Sequence, residues 1–189
     1  MRRLLILLCI LLCAACWAQP QTVDRNGVTI SGGWTGQIYN NFYNRQTAPL
    51  VGVSYGYRPL KFLEVETGLS VGFQPGEQIC NRFGCYDPND RYFWVPFGVR
   101  FVTPPLAGRV EFSVGGGGLF QRYAVGNPDD PFGISGENSF GGYFSAGAAV
   151  ALDRRRRFWL GATPRVLLAN PEYRRFRWFT ITGDFSFRF

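Results

Sequence analysis

Hydrophobic and polar residues alternate with a period of two along most of the chain after residue 26. The C-terminal segment shows the pattern clearly, since Phe179, Ile181, Phe185, Phe187 and Phe189 all fall on one face. Such alternation predicts a β-strand with one apolar and one polar face. Seven earlier segments follow the same rule, approximately over residues 28–38, 51–58, 63–73, 93–101, 110–120, 140–150 and 158–168. The sequence therefore predicts an all-β fold with eight strands.

The connections between these segments alternate in length. The short turns cover residues 58–61, 103–108 and 153–157, and the mostly longer connections cover residues 40–49, 74–91, 122–139 and 169–175. An even number of strands, with short turns at one end and longer loops at the other, is typical of an antiparallel up-and-down transmembrane barrel in a bacterial outer membrane. In that architecture both chain ends lie on the short-turn, periplasmic side.

Side-chain volume predicts which face of the sheet points into the barrel. An eight-stranded barrel has an interior just wide enough for side chains to fill it. The apolar set is dominated by Phe, Val, Leu and Trp, which would overfill this space, whereas the opposite set is mostly Gly, Ser, Thr and Ala with scattered charges. The single lysine, Lys61, lies in a turn, although a soluble barrel would cover its exterior with Lys and Glu. We therefore expect the apolar face to point outward, into lipid.

The N-terminus has the features of a secretory signal peptide. Two arginines precede an apolar run from Leu4 to Ala18, and small residues close this run. As a helix the run would rise only about 22 Å, less than the roughly 30 Å of a hydrocarbon core. The alternatives to cleavage after Ala18 are a retained membrane anchor and a lipoprotein-type exit in which Cys16 is lipidated. The predicted organisation is a cleaved signal peptide over residues 1–18, a periplasmic lead-in over residues 19–26 and the barrel over residues 27–189.

Composition and charge narrow the possible chemistry. The chain has 189 residues and no histidine, which excludes Ser–His and Cys–His nucleophile pairs and sites that need imidazole ligands. Its formal net charge is +7, much of it in residues 154–157 and in Arg174, Arg175 and Arg177. For an exported barrel this charge indicates outer-membrane lipids as partners and excludes nucleic acid. The second cluster would meet anionic head groups at the loop-side rim, or simply anchor the barrel there.

Charged residues on the polar face are expected to fill the lumen as Arg–carboxylate pairs, because a buried carboxylate without a partner is costly. The predicted network consists of Glu64, Glu66, Arg100, Glu111, Arg165, Asp184 and Arg188. The alternative, Glu64 and Glu66 as a catalytic pair, lacks any accompanying substrate pocket. We expect no enzymatic activity, no cofactor and no metal site.

Cys80 and Cys85 are the two cysteines that remain after removal of the signal peptide. An even number of cysteines in an exported chain predicts a disulfide. The bridge would close a short loop and would order that loop more than it stabilises the fold. A free thiol would need a reducing compartment, and two thiolates alone rarely complete a metal site.

Three short segments carry a resemblance to a known family. They are residues 112–118 (Phe-Ser-Val-Gly-Gly-Gly-Gly), residues 95–100 (Val-Pro-Phe-Gly-Val-Arg) and residues 185–189 (Phe-Ser-Phe-Arg-Phe). They resemble the glycine-alternating, proline-containing and final strands of the small outer-membrane β-barrels of the OmpA/OmpX type. In that family the barrel-assembly machinery recognises a last strand that ends in Phe. The resemblance therefore implies this role for Phe189 and this machinery as a partner.

These observations lead to one functional prediction and two alternatives. The prediction is an integral outer-membrane barrel with a filled lumen that serves envelope integrity, adhesion or surface binding. An extracellular ligand would bind loops 74–91 and 122–139. The alternatives are a narrow pore for ions or small solutes and a soluble periplasmic barrel that binds an apolar ligand. The sequence does not choose among the surface roles, because function in such a barrel resides in its loops.

Overall fold

The computed structural model of the protein describes ten β-strands. The described residues are 25–38, 47–75, 79–81, 84–86, 89–124, 136–169 and 176–189. The strands are β1 (Asn26–Gln37), β2 (Thr47–Leu60), β3 (Leu63–Pro75), β4 (Ile79–Asn81), β5 (Gly84–Tyr86), β6 (Asn89–Val102), β7 (Val110–Ala124), β8 (Gly136–Ala151), β9 (Phe158–Ala169) and β10 (Phe176–Arg188). No helix in the described part of the chain is long and apolar enough to cross a membrane.

Eight of the strands form a closed barrel in the order β1-β10-β9-β8-β7-β6-β3-β2. All neighbours are antiparallel, and β1 closes the barrel by pairing with both β2 and β10. At this seam Trp34 lies opposite Ile181 on one side and Pro49 on the other. The predicted eight-stranded up-and-down barrel is therefore confirmed. Its strands have 12 to 16 residues, more than the roughly 9–11 that a tilted strand needs to cross a hydrocarbon core.

The remaining two strands, β4 and β5, form a separate two-stranded sheet within the connection from β3 to β6. The alternation pattern predicts only a long loop over this connection. In the register of this small sheet Cys80 lies directly opposite Cys85. Their side chains lie outside the described part of the structure, so the disulfide stays a prediction.

The two faces of the barrel strands differ sharply in exposure. Large apolar side chains cover the outside, where Ile30 is 64% exposed and Phe140 is 70% exposed. The alternate positions point inward and are buried or half-buried, and Trp94 there is only 1% exposed. This is the predicted orientation: the apolar face points outward and the glycine-rich, charged face lines the lumen. An exterior of this composition requires an apolar solvent.

Three short connections join the strands at one end of the barrel. Between β2 and β3 the turn consists of Lys61 and Phe62. The β6–β7 turn has positive φ angles at Ala107 (48°) and Gly108 (72°), and the β8–β9 turn has one at Arg156 (57°). We call this the turn end, and the opposite end the loop end.

Candidate functional site

The lumen is the candidate site because the predicted charged residues and several large rings converge there. Its contents form two layers. A network of arginines and carboxylates occupies the half near the turn end. A cluster of aromatic and aliphatic side chains occupies the half near the loop end.

The charged layer contains a continuous chain of ion pairs. Arg58 Nε lies 2.6 Å from Glu64 Oε2, and Arg58 Nη2 lies 3.1 Å from Glu111 Oε2. The same oxygen of Glu111 lies 2.8 Å from Arg188 Nη2. Arg100 continues the chain on the other side, since its Nη2 lies 3.4 Å from Glu64 Oε1 and also pairs with Glu66. These contacts connect β2, β3, β6, β7 and β10 across the lumen.

Two aromatic side chains, Tyr143 and Trp159, extend this network to strands β8 and β9. The Tyr143 hydroxyl of β8 donates a hydrogen bond of 2.8 Å to Glu66 Oε1. The guanidinium of Arg188 lies 3.9 Å from the ring centre of Trp159 in β9. The Trp159 indole Nε1 in turn donates to the backbone carbonyl of Arg156 at 2.6 Å, which links the network to the β8–β9 turn. The charged layer therefore braces the barrel from within.

The structure brings together five of the seven residues of the predicted network: Glu64, Glu66, Arg100, Glu111 and Arg188. The other two, Arg165 and Asp184, are also buried in the lumen but have different surroundings. Asp184 accepts a hydrogen bond from the Thr163 hydroxyl through Oδ2. Neither Asp184 Oδ1 nor Arg165 Nε has a hydrogen-bond partner among the described residues.

Arg58 is the residue that sequence reasoning missed. It contacts both Glu64 and Glu111, so it is the central cation of the network. A signal for it exists in the sequence, because the alternation puts it on the polar face of the second strand. The prediction left it out because it lies where that strand runs into a turn. With Arg58 included, the described residues of the charged layer comprise four arginines and four carboxylates, so their formal charges cancel. The carboxylates are Glu64, Glu66, Glu111 and Asp184, and the arginines are Arg58, Arg100, Arg165 and Arg188.

Two small polar cavities lie within this layer, each of about 40 Å³. Both are lined by Arg58, Arg100 and Arg188, and the second also reaches Arg165 and Asp184. A cavity of this size accommodates about three water molecules when polar groups surround it. These two cavities are therefore large enough for water molecules but too small for a larger solute.

The loop-end layer is a cluster of rings that the sequence analysis did not predict. Tyr92 and Trp178 have ring centres 4.5 Å apart, and those of Trp94 and Trp178 are 5.5 Å apart. The Trp94 Nε1 donates to Gln121 Oε1 at 2.9 Å, so the buried indole has a partner. The buried members of this aromatic plug are Leu50, Tyr92, Trp94, Leu119, Tyr143, Leu167, Ala169 and Trp178.

The volume argument names Trp among the outward residues, although the alternation itself places Trp94 and Trp159 on the polar face that lines the lumen. Trp34 is outside, but Trp94, Trp159 and Trp178 lie within the lumen. Inward glycines provide the space for these rings. A Cβ on Gly72 would lie 2.8 Å from Cζ3 of Trp94, closer than real Cβ atoms approach. Large rings therefore fit where they face glycines on neighbouring strands.

Phe189 lies at the seam of the barrel. Its backbone N–H donates to the Asn26 carbonyl at 2.9 Å, and its carbonyl accepts from the Asn26 N–H at 3.1 Å. The ring is exposed on the outer surface and stacks on Phe187 with 5.7 Å between ring centres. Its role in recognition by the assembly machinery stays a prediction.

A closed antiparallel barrel with an apolar exterior and a filled polar and aromatic lumen has the architecture of a transmembrane β-barrel. The sequence matches no protein-family model and no curated protein. In structure the chain is similar to NspA, a neisserial surface protein, with a TM-score of 0.67, 11% identity, and coverage of 89% of this chain and 100% of that one.

Two further solved structures share this likeness. The outer membrane protein OprG from Pseudomonas aeruginosa has a TM-score of 0.55 at 8% identity, covering 88% of this chain and 98% of that one. Ail, the attachment invasion locus protein of Yersinia pestis, has a TM-score of 0.52 at 11% identity, covering 87% and 99%. The chain thus has the fold of the small outer-membrane β-barrels. Its predicted resemblance to the OmpA/OmpX type is confirmed at the level of the fold.

Proposed function

We propose that the protein is an integral outer-membrane barrel that does not conduct solutes and serves as a rigid anchor for its loops. The biological role would then be envelope integrity, adhesion or surface binding, through the loops that include residues 74–91 and 122–139. Both chain ends would lie in the periplasm, and lipids and the barrel-assembly machinery would be its general partners. The fold shared with NspA and OprG supports the membrane location.

The observation that carries this proposal is the filling of the lumen inside an apolar exterior. A solute that entered from the loop end would meet the buried rings of Trp94, Trp178 and Tyr143. Beyond them it would meet the chain of ion pairs between Arg58, Glu111 and their neighbours. The exposed apolar surface also argues against the soluble periplasmic alternative, because such a surface would aggregate in water.

The same contacts support a non-enzymatic role. Each carboxylate of the ion-pair chain already contacts an arginine: Glu64 and Glu66 contact Arg100, and Glu111 contacts Arg58 and Arg188. A general acid or base must reach a substrate, and these carboxylates instead contact arginines inside the filled lumen. No group of three acidic or cysteine side chains in the described part of the chain is placed to hold a metal ion.

Planar-bilayer recording on the refolded full barrel tests the proposal. We expect no steady conductance steps from the wild-type protein or from Trp34→Ala, a control that removes a tryptophan from the outer surface. Folding is checked beforehand by heat-modifiable gel mobility, and membrane fractionation checks the location. Steady steps in the wild type whose size changes in Trp94→Ala would show current through the lumen, and the pore alternative would replace the proposal.

The role proposed for Phe189 has its own test. Phe189→Ala should slow assembly of the barrel in cells, while spontaneous refolding of the purified variant into detergent micelles should keep its wild-type rate. Phe187→Ala is the matched control, since it removes a neighbouring exterior ring. Equal assembly of both variants in cells would contradict the role.

A further inference from the structure

The turn end of the barrel carries a concentration of positive charge that the proposed function does not use. We call it the basic collar, and it consists of Arg25, Lys61, Arg109, Arg154, Arg155, Arg156 and Arg157. All except Arg156 are exposed, and each of the three turns contributes at least one member. Among the described residues at this end, Asp153 is the one acidic side chain that lies outside the lumen. The collar therefore has a large positive excess.

The collar directly adjoins apolar side chains that are also exposed. Lys61 lies between Leu60 and Phe62, which are 50% and 43% exposed. At the β8–β9 turn, Leu152 and Phe158 flank the arginines in the same way and are likewise exposed. Exposed apolar groups at a strand end belong at the boundary between acyl chains and head groups. Basic side chains one or a few residues further along then reach the depth of the lipid phosphates.

The arginine-rich turn is held in a defined conformation. The backbone N–H of Phe158 donates to Asp153 Oδ1 at 3.0 Å, and the N–H of Arg156 donates to the Asp153 carbonyl at 3.2 Å. Arg156 has a φ of 57°, a left-handed conformation that is uncommon for a residue with a long side chain. Its carbonyl accepts the 2.6 Å hydrogen bond from buried Trp159, which fixes this conformation to the lumen network.

A preorganised turn loses less conformational entropy when it binds a ligand. Backbone strain of this kind at Arg156 is usually retained where it serves a function. Arginine is also suited to phosphate, because its planar guanidinium can form two parallel hydrogen bonds with one phosphate group. The charge of the collar, its depth in the membrane and its preorganised turn thus all indicate a ligand with phosphate groups at the membrane surface.

We propose that the basic collar binds the phosphates of anionic phospholipids in the leaflet at the turn end. The inference rests on the proposed function, since it requires a barrel that spans a bilayer. Each basic side chain at an anionic surface contributes an attraction that corresponds to about a fivefold change in affinity. The collar would fix the depth of the barrel and surround its turn end with anionic lipid.

Native mass spectrometry of the folded full-length barrel tests this proposal. The protein is released from detergent with equal amounts of phosphatidylglycerol and phosphatidylcholine, and the adducts of each lipid are counted. We expect phosphatidylglycerol to be retained over phosphatidylcholine by at least about fivefold. This preference should fall by at least about half in Arg154→Gln/Arg155→Gln. It should also weaken as salt is raised, because salt screens exposed charges.

The matched control is Arg91→Gln/Arg122→Gln, which removes the same charge from two arginines at the loop end that belong to neither basic cluster, one exposed and one half-buried. We expect this control to keep the preference. Equal preferences in the two double variants, or no preference in the wild type, would overturn the proposal and leave the collar available to a soluble acidic partner. Gel mobility distinguishes failure of the lipid proposal from failure of the proposed function. A protein that does not form a heat-modifiable barrel contradicts the proposed function, whereas a folded barrel without lipid preference contradicts only the lipid proposal.

Discussion

Glu111 offers the most direct test of whether the charged layer stabilises the barrel. Its Oε2 lies 3.1 Å from Arg58 Nη2 and 2.8 Å from Arg188 Nη2, and the side chain is almost fully buried. Glu111→Gln keeps the shape of the side chain but removes its charge. Arg58 then retains Glu64 at 2.6 Å, whereas Arg188 loses the carboxylate that it contacts. The lumen is left with four arginines and three carboxylates.

The expected loss in the free energy of unfolding follows from this imbalance of buried charge. Removing one partner of a buried ion pair typically destabilises a protein by about 3–5 kcal/mol, because the remaining charge is buried without compensation. Two features place Glu111→Gln at the lower end, about 3 kcal/mol. Arg58 keeps one carboxylate, and the adjoining polar cavities can hold water near Arg188. Glu111→Gln/Arg188→Gln restores equal charges and should cost about 1–3 kcal/mol less than the sum of the single variants.

Equilibrium unfolding in urea from lipid vesicles, followed by tryptophan fluorescence, measures these free energies of unfolding. Glu137→Gln is the matched control because Glu137 is exposed at the loop end. Its effect should stay within about 0.5 kcal/mol. The reasoning is refuted if Glu111→Gln is as stable as this control, or if the double variant costs the full sum of the two single ones.

Three further predictions concern packing, pH and redox state. Gly33→Ala should destabilise the barrel by about 1–3 kcal/mol, because its new Cβ would overlap backbone atoms of β10. A Cβ on Gly32 would have nothing within 4 Å, so Gly32→Ala should change the free energy of unfolding by no more than about 0.5 kcal/mol in the same assay. The N–H of Phe158 donates to the Asp153 carboxylate and holds the pKa of Asp153 below its ordinary value of about 3.9. The ionised carboxylate therefore stabilises the turn above that pH, and this stabilisation is lost as pH falls through the lower pKa of the folded state. NMR titration of the Asp153 carboxyl should therefore give a midpoint below about 3.9, and an ordinary midpoint would contradict the hydrogen bond. Thiol titration should find Cys80 and Cys85 oxidised, and free thiols in the native protein would contradict the bridge. Reduction of the disulfide should lower the free energy of unfolding by less than about 2 kcal/mol, and the barrel should keep its heat-modifiable gel mobility.

The two layers of the lumen act on different properties of the barrel. The rings of the aromatic plug are packed and buried at the loop end, where the proposed function needs them to block solutes. The charged layer lies nearer the turn end, and it joins strands that are far apart around the barrel. Arg58 and Glu111, for instance, come from β2 and β7. Such bracing fits the proposed role of the barrel as an anchor for its loops.

The strand pattern was predictable because alternation is a local property. Each residue in a strand points to the opposite side from the one before it, so eight stretches of alternation are enough to define eight strands and their two faces. The outward orientation also followed from the sequence, because the bulky set is too large for an eight-stranded interior. The small sheet of β4 and β5 was missed because three-residue strands are too short to show a period.

By itself, then, the sequence determined an eight-stranded barrel, its apolar exterior and most of the charged residues of its lumen. Only the tertiary structure decided which of those charges meet, that Arg58 is the central cation, and that Trp94 and Trp178 pack together in the aromatic plug. The physical reason is distance along the chain: Arg58 and Glu111 are separated by 53 positions and Glu66 and Tyr143 by 77. Such contacts depend on the register between strands and on glycines across the lumen, and no local pattern encodes either one.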